Sequence, residues 1–401
     1  MNKKLLILIP VGLIIILGIW FFFFKSSTTT TPNTTSTTSP FGYGGPDVVP
    51  AGRATKPTSS GLDSSGRPVA KLFQLSNTPV SGAVAVLKNG STIIRYTDRA
   101  TGHIIDVNPE TMEKVKISNN TLPKIYEAYY KKDGSGVVYR SLKDDGSIVN
   151  TSISLTAPKS TSTGETLYTI NASMLRGDVG EIAVLPSGNL VYSTNNPGAI
   201  ISSGFAGDKP TNIYTTPFTE WRISPSGPSD VYITTKAGGD ASGYSYKIST
   251  KTGGLTKILG PLNSLLVLPN QNKTVVAYSY KNGNSFSFGS LNTTTKKSSS
   301  LTPSALVEKC VWSNKSVDLL YCGVSDQISY SEPDNWYKGV THFSDRIWAY
   351  NTNTTFTDVI AEPKNTLGVD IDVYNPSLSP DEDYLIFMNR NDLSLWALKL
   401  N

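Results

Sequence analysis

Histidine and cysteine are scarce in this chain of 401 residues, which contains two of each. His103 and His342 lie far from each other and from Cys310 and Cys322, so no cluster has the ligand spacing of a zinc site. The acidic turn SPDEDY lacks the spacing and central glycine of a calcium loop. A Gly-x-Ser-x-Gly turn is absent, and two histidines leave few general bases for a nucleophilic enzyme. We therefore expect no catalytic residue, no metal and no other cofactor.

Charge and helical patterns are also sparse. Charged residues make up 17% of the chain, and its formal net charge is +5. Lys3, Lys4 and Lys25 flank one apolar segment, so the remainder carries +2 (5 − 3 = 2), too little to indicate a nucleic-acid partner. After residue 25 no long stretch has helical spacing of apolar residues. Abundant Ser, Thr, Asn and Gly with 10% aromatic residues instead favour strands and tight turns, and hence an all-β fold.

The N-terminus contains one long apolar segment. Residues 5–24 are uncharged and lie between lysines, and a helix of that length spans the roughly 30 Å hydrocarbon core of a membrane. A cleaved signal peptide is the alternative, but its apolar region usually ends in small residues, whereas this one ends in WFFFFK. Because basic residues are enriched on the cytoplasmic side, we expect residues 1–25 to form a single-pass anchor of the cytoplasmic membrane, with the N-terminus inside.

A polar segment follows the predicted anchor. In SSTTTTPNTTSTTSP, 12 of 15 residues are Ser or Thr, a composition that cannot bury apolar surface. Similar Gly-, Pro- and Ser-rich sequence continues to Pro68. We expect residues 26–68 to form a disordered stalk that holds a folded, extracytoplasmic head, residues 69–401, away from the membrane.

The head repeats one strand–turn–strand unit seven times. The copies are AVLKNGSTIIRYT, YYKKDGSGVVYRS, AVLPSGNLVYST, RISPSGPSDVYITT, LVLPNQNKTVVAYSY, CVWSNKSVDLLYCG and SLSPDEDYLIFMN, with turn markers at Lys88, Lys132, Pro186, Pro225, Pro269, Asn314 and Pro380. A second turn, rich in Thr, follows several copies, as in VNPETMEKVKI and YNTNTTFTDVI. Four short strands per period of about 40 to 50 residues are typical of a β-propeller blade. Seven copies predict seven blades, although their uneven spacing leaves six or eight open.

The C-terminal copy lacks one strand. After Pro380 the chain supplies too few strands for a four-stranded blade before it ends at Asn401. We expect residues 69–76 to pair with residues 394–400 and complete this blade, because an open ring would expose two unpaired strand edges.

The turns SPDEDYLIF and SPSGPSDVYI resemble the hairpin of TolB-like propeller repeats, whose usual form is Ser-Pro-Asp-Gly-Lys-x-Leu. The segments LFQLSNTPVSGAVAV, IIRYTDRATGHI, ISNNTLPKIYEAYY and PDNWYKGVTHFSDRIWAYN resemble membrane-anchored propeller proteins of the Candidate Phyla Radiation (Patescibacteria). Those proteins have no established activity, so the resemblance implies an architecture and a compartment but no catalytic residue. TolB itself is a soluble periplasmic protein, and the predicted anchor departs from it, so its partners are not carried over.

Two further features concern the sixth copy. Cys310 and Cys322 bracket its hairpin, a spacing that fits either a cross-strand disulfide in an oxidising compartment or two buried thiols. The connection that follows, residues 325–345, is much longer than its equivalents. It carries Tyr330, Asp334, Trp336, Tyr337 and His342. We expect these residues to bind a partner, with Trp336 and Tyr337 as anchors; the alternative is that the two aromatic residues fill a gap between blades.

Three functions remain open at this point. The leading hypothesis is a module that binds or scaffolds a protein, peptide or glycan of the cell envelope. The second is an enzyme that acts on envelope polysaccharide or peptide, and the third is an accessory spacer of a surface appendage or secretion system. Clustered, desolvated carboxylates in the channel would favour the enzyme, whereas an apolar aromatic patch on one face would favour binding.

Overall fold

The computed structural model describes residues 58–158, 167–271 and 274–401. Within these residues 28 strands form seven four-stranded antiparallel sheets, the blades of a β-propeller. The predicted fold and blade number are therefore confirmed. The predicted anchor and all but the end of the predicted stalk lie outside the described residues. In the described part of the chain, no helix combines the length and the apolar character needed to cross a membrane.

The strands follow the blades in chain order, except that β1 (Leu72–Ser76) belongs to the last blade. Blades 1 and 2 contain β2 (Val80–Lys88), β3 (Ser91–Asp98), β4 (Ile104–Val107), β5 (Lys114–Lys116), β6 (Ile125–Tyr130), β7 (Gly136–Leu142), β8 (Ile148–Thr156) and β9 (Thr169–Met174). Blades 3 and 4 contain β10 (Val179–Val184), β11 (Leu190–Asn195), β12 (Gly198–Ser203), β13 (Thr211–Thr215), β14 (Trp221–Pro225), β15 (Asp230–Thr235), β16 (Ser242–Ser249) and β17 (Leu255–Asn263).

The remaining blades complete the ring. Blades 5 and 6 contain β18 (Leu266–Pro269), β19 (Val275–Asn282), β20 (Ser285–Asn292), β21 (Ser298–Ser300), β22 (Cys310–Trp312), β23 (Leu319–Val324), β24 (Arg346–Asn351) and β25 (Thr357–Ala361). Blade 7 contains β26 (Val373–Leu378), β27 (Tyr384–Asn389) and β28 (Leu395–Lys399) together with β1. A 3-10 turn (Val307–Lys309) and two short helices, α1 (Asp334–Tyr337) and α2 (Pro363–Leu367), lie in connections between strands.

The first and last strands of the head close the ring. In the antiparallel pair of β1 and β28, Leu72 lies opposite Leu398 and Phe73 lies opposite Ala397. The predicted pairing of residues 69–76 with the C-terminal segment is therefore confirmed. Phe73 is 2% exposed, so closure buries apolar side chains as well as a strand edge.

The hydrophobic core lies between neighbouring blades. One cluster joins Ile104 of blade 1 to Ile125 of blade 2, and another joins Val107 of blade 1 to Tyr384 of blade 7. Comparable clusters occur between other blades. The middle strands are buried on both faces, as in β27, where all six residues of YLIFMN are buried. A single blade therefore cannot bury its apolar faces alone, which explains why the ring forms as a unit.

The polar turns of the repeat have local causes. At the Thr-rich turns, the side-chain oxygens of Asn108, Asn292 and Asn351 each accept two backbone N–H bonds from the residues two and three positions later. Such Asx turns reverse the chain between the third and fourth strands. At the first hairpins a left-handed residue completes the turn, for example Gly188 with φ 84°. Because Gly tolerates this conformation at no steric cost, the motif recurs from blade to blade.

Candidate functional site

The first strand of every blade contributes to a central channel. Its lining includes Ser81, Glu127, Glu181, Arg222, Leu268, Cys310 and Tyr374, which come from blades 1 to 7 in that order. The cavity has a volume of about 570 Å³, within the usual range of roughly 300–1,000 Å³ for small-ligand sites. Charged residues thus converge on the axis although each strand is mainly apolar.

Arg222 connects Glu181 of blade 3 with Glu308 of the 3-10 turn that precedes blade 6. Its Nη1 lies 3.2 Å from Oε2 of Glu181, and its Nε lies 3.4 Å from Oε1 of Glu308. Burial raises the pKa of the Glu181 carboxyl, and the charge of Arg222 opposes that rise. With two carboxylates on one guanidinium, this group has one excess negative charge when both are ionised.

A second ion pair lies between adjacent strands of blade 2. Nη1 of Arg140 is 3.1 Å from Oε2 of Glu127, and the hydroxyl of Tyr129 donates to the same oxygen at 3.0 Å. Burial raises the pKa of Tyr129 well above its ordinary value, and the neighbouring charges of Glu127 and Glu181 raise it further. Tyr129 therefore stays protonated at neutral pH and acts as a hydrogen-bond donor.

The long connection of blade 6 lies over one end of this channel. It links β23 to β24 and contains α1, whose Trp336 and Tyr337 line the channel. Oδ2 of Asp334 accepts a 2.6 Å hydrogen bond from the backbone N–H of Gly239 in blade 4. The connection is thus held at a distant blade as well as at its own ends.

Trp336 is predicted to anchor a partner, with the filling of a gap between blades as the alternative, and in the structure it is buried. The side chain is 1% exposed, and its indole N–H lies 3.1 Å from the carboxylate of Asp372. The guanidinium of Arg390 lies 4.8 Å from its ring centroid. Trp336 packs in one hydrophobic cluster with Cys310 and Phe343, which is the location that the alternative interpretation gives it.

The other residues predicted to bind a partner separate into two groups. Tyr337, half-buried, and His342, exposed, line a second cavity of about 620 Å³ that shares Glu127, Tyr337, Tyr374 and Arg390 with the channel. We call this second cavity the mouth cavity. Tyr330 and Asp334 lie elsewhere on the loop: Tyr330 is 62% exposed beside Lys281, and Asp334 holds Gly239. The structure thus brings together only part of the predicted set.

A buried charged network holds the base of the same loop. The Nζ of Lys309 lies 2.7 Å from Oδ2 of Asp345 and 2.8 Å from Oδ1 of Asp372. Oδ2 of Asp345 also accepts from the N–H of Val373, while its Oδ1 accepts no hydrogen bond from any described residue. Burial raises the pKa of Asp345 to about 6, and the charge of Asp372 adds to that rise, whereas Lys309 opposes it.

The two cysteines lie opposite each other in the register of β22 and β23. In the structure they form a disulfide, with their Cα atoms 4.0 Å apart. This bond ties the first two strands of blade 6 directly beneath the long connection.

Sequence reasoning missed most of the channel. Glu127, Glu181 and Arg222 come from three different blades and Glu308 from the turn before a fourth, so no short motif contains two of them. A signal was nevertheless present, because each residue lies in or just before the first strand of its unit, where most positions are apolar. The recurrence of a charged residue near the first strand of several units indicates that the centre of the ring is polar.

Comparisons with known proteins support the fold alone. No family model matches the chain, and no curated protein does either. Among solved structures, the chain is similar to one titled Kuenenia stuttgartiensis Hydrazine Synthase, with a TM-score of 0.51 and 12% sequence identity over 80% of this chain and 96% of that chain. At this identity the match supports the propeller architecture and transfers no activity. The resemblance to TolB-like and Patescibacterial proteins stays a prediction.

Proposed function

We propose that this protein is a membrane-tethered, extracytoplasmic β-propeller that binds a glycan or peptide of the cell envelope in its central channel. The observation that supports this proposal most is the channel, which has a volume of about 570 Å³ and is lined by side chains from all seven blades. Its ion pairs and tyrosines offer both donors and acceptors to a polar ligand, and a rigid scaffold holds them in place. The proposed tether rests on the apolar segment 5–24 and its flanking lysines.

A channel-filling variant tests this proposal. Ser224 lines the channel on β14, whereas Ser298 is exposed on the outer strand β21, so Ser224→Trp and Ser298→Trp form a matched pair. The full-length proteins, held in mild detergent and checked for equal melting, would be exposed to envelope material of the native cells. We expect Ser224→Trp to lose the captured material and Ser298→Trp to retain it.

Two treatments of the envelope material identify the class of ligand. Protease digestion should abolish capture of a peptide, and periodate oxidation should abolish capture of a glycan. Equal capture of envelope material by Ser224→Trp and Ser298→Trp would show that the ligand does not bind in the channel. Protease added to intact cells should also release the head through the stalk, and complete protection would contradict the extracytoplasmic location.

One observation favours a second function, hydrolysis of an envelope polysaccharide. Glu181 and Glu308 approach the same guanidinium, and Glu181 has a raised pKa, which is a feature of carboxylic acids that donate protons. We prefer the binding function to hydrolysis because both carboxylates already pair with Arg222, which leaves neither of them unpaired for catalysis. Glu181→Gln separates the two functions: a binding module should retain its ligand unchanged over hours with either residue, whereas an enzyme should release shortened products only with Glu181.

A further inference from the structure

Arginines of the head differ in whether they have a counter-ion. Five of them lie within 4.0 Å of a carboxylate: Arg95, Arg140, Arg176, Arg222 and Arg346. Arg99 and Arg390 have no carboxylate within that distance among the described residues, yet both line the mouth cavity. Two partly buried guanidinium groups without counter-ions in one cavity favour an anion, because burying an unpaired charge is costly.

The position of Arg390 is determined by the long connection. Its Nη2 donates to the carbonyl oxygens of Trp336, at 2.7 Å, and Tyr337, at 3.1 Å. Its guanidinium also lies 5.0 Å from the ring centroid of Tyr374. Its buried Nε has no hydrogen-bond partner in the described chain. The group is therefore held rigidly, with donor capacity left unused.

Arg99 approaches the cavity from blade 1. Its Nη1 donates to the carbonyl oxygen of Tyr126 at 2.8 Å, and the hydroxyl of Tyr126 is buried without a partner among the described residues. Tyr126 lines the same cavity. The wall of the cavity thus combines two guanidinium groups with a phenol.

The two carboxylates of the lining do not neutralise these arginines. Glu127 pairs with Arg140, and Asp392 accepts from the backbone N–H and the hydroxyl of Ser394 within its own turn. His342 is exposed at the rim. Counting Arg140 with its partner Glu127, the groups at the mouth cavity have three guanidinium groups against two carboxylates, one excess positive charge.

We propose that the mouth cavity binds the carboxylate of an acidic saccharide, a uronic acid, whose remaining sugar units extend into the channel. This proposal rests on the proposed binding function of the channel and specifies its ligand. A planar carboxylate matches the fork of a guanidinium. A saccharide fits the remainder, because the tyrosine rings of the lining offer flat surfaces and the paired charges offer hydrogen bonds to hydroxyl groups.

The test compares matched acidic and neutral ligands by calorimetry on the full-length protein in detergent. Trigalacturonate and galactotriose differ in their carboxylates, and triglutamate serves as the peptide probe. We expect trigalacturonate to bind at least about tenfold more tightly than galactotriose. Arg99→Gln and Arg390→Gln should each weaken trigalacturonate binding about tenfold or more, because each removes hydrogen bonds to a charged group. Arg67→Gln is the control, since Arg67 is exposed and lines neither cavity.

Each alternative outcome overturns the proposal in a distinguishable way. Equal binding of both saccharides, unaffected by the arginine variants, would retain the channel function and refute the acidic site. Arginine-dependent binding of triglutamate alone would retain the anion site and refute the saccharide. Binding of no probe at millimolar concentration, with envelope capture still lost in Ser224→Trp, would refute only the ligand class. Because Arg390→Gln removes contacts to the loop, Arg99→Gln decides the question if the former variant melts early.

Discussion

Replacing Asp345 by asparagine should change how the stability of the head depends on pH. Asp345 is 1% exposed and shares the ammonium group of Lys309 with Asp372, so two carboxyl groups face one ammonium group. Burial raises the pKa of Asp345 from 3.8 to about 6 in the folded protein. Asparagine has nearly the shape of the protonated carboxyl and cannot ionise.

The direction of the effect follows from proton binding. Because the folded-state pKa lies above 3.8, the folded protein binds this proton more tightly than the unfolded chain does. The contribution of Asp345 to the free energy of unfolding of the wild type therefore falls as the pH rises from about 4 to about 6. A difference of about two pKa units corresponds to about 3 kcal/mol. Asp345→Asn has no proton to lose at this position. Its free energy of unfolding should therefore increase by about 3 kcal/mol relative to that of the wild type between pH 4 and pH 7.

Urea denaturation at pH 4, 5, 6 and 7, followed by tryptophan fluorescence of the full-length protein, measures this difference. At pH 4 the two proteins should have similar free energies of unfolding, and Asp345→Asn should be the more stable one at pH 7. Asp358→Asn, an exposed substitution on the same blade, should follow the wild type throughout. A constant difference between Asp345→Asn and the wild type from pH 4 to 7 would refute the reasoning.

Two further predictions concern the core and the closure of the ring. Trp336→Ala should lower the free energy of unfolding by about 3–5 kcal/mol, because it empties a buried site; Tyr330→Ala, at a side chain 62% exposed, should change it by less than about 0.5 kcal/mol. Equal losses in the two variants would contradict the assigned burial. Deleting residues 69–76 removes β1 and should lower the melting temperature of the whole head, since Phe73 and Leu75 are buried and β28 loses its partner. An unchanged melting temperature would contradict closure by this strand.

The architecture was predictable because its determinants are local and repeated. A turn such as that around Gly188 or Asn108 needs only a few consecutive residues, and seven copies of one unit allow the blades to be counted. The closing strand followed from a strand missing in the last unit. The bounds of the long connection also followed, since β23 ends at Val324 and β24 begins at Arg346.

The site was not predictable in the same way, because its contacts join residues distant in the chain. Arg222 meets Glu181 from 41 positions earlier, and Lys309 meets Asp372 from 63 positions later. Such pairs depend on which faces of neighbouring blades oppose each other. A single sequence contains no local signal for that register. The charged positions of the first strands could have been noted, but not their partners.

Trp336 and Tyr337 show how burial and function divide between adjacent residues. Trp336 is held in the core by Asp372, and the next residue of α1 consequently lies over the channel, with the guanidinium of Arg222 5.1 Å from the Tyr337 ring centroid. The same backbone turn supplies the two carbonyl oxygens that hold Arg390. Since one buried indole positions both groups, a substitution at Trp336 would disturb the proposed ligand binding through the loop rather than through a lost contact. The polar residues of the mouth cavity, and not its most conspicuous aromatic neighbour, are therefore where selectivity should be sought.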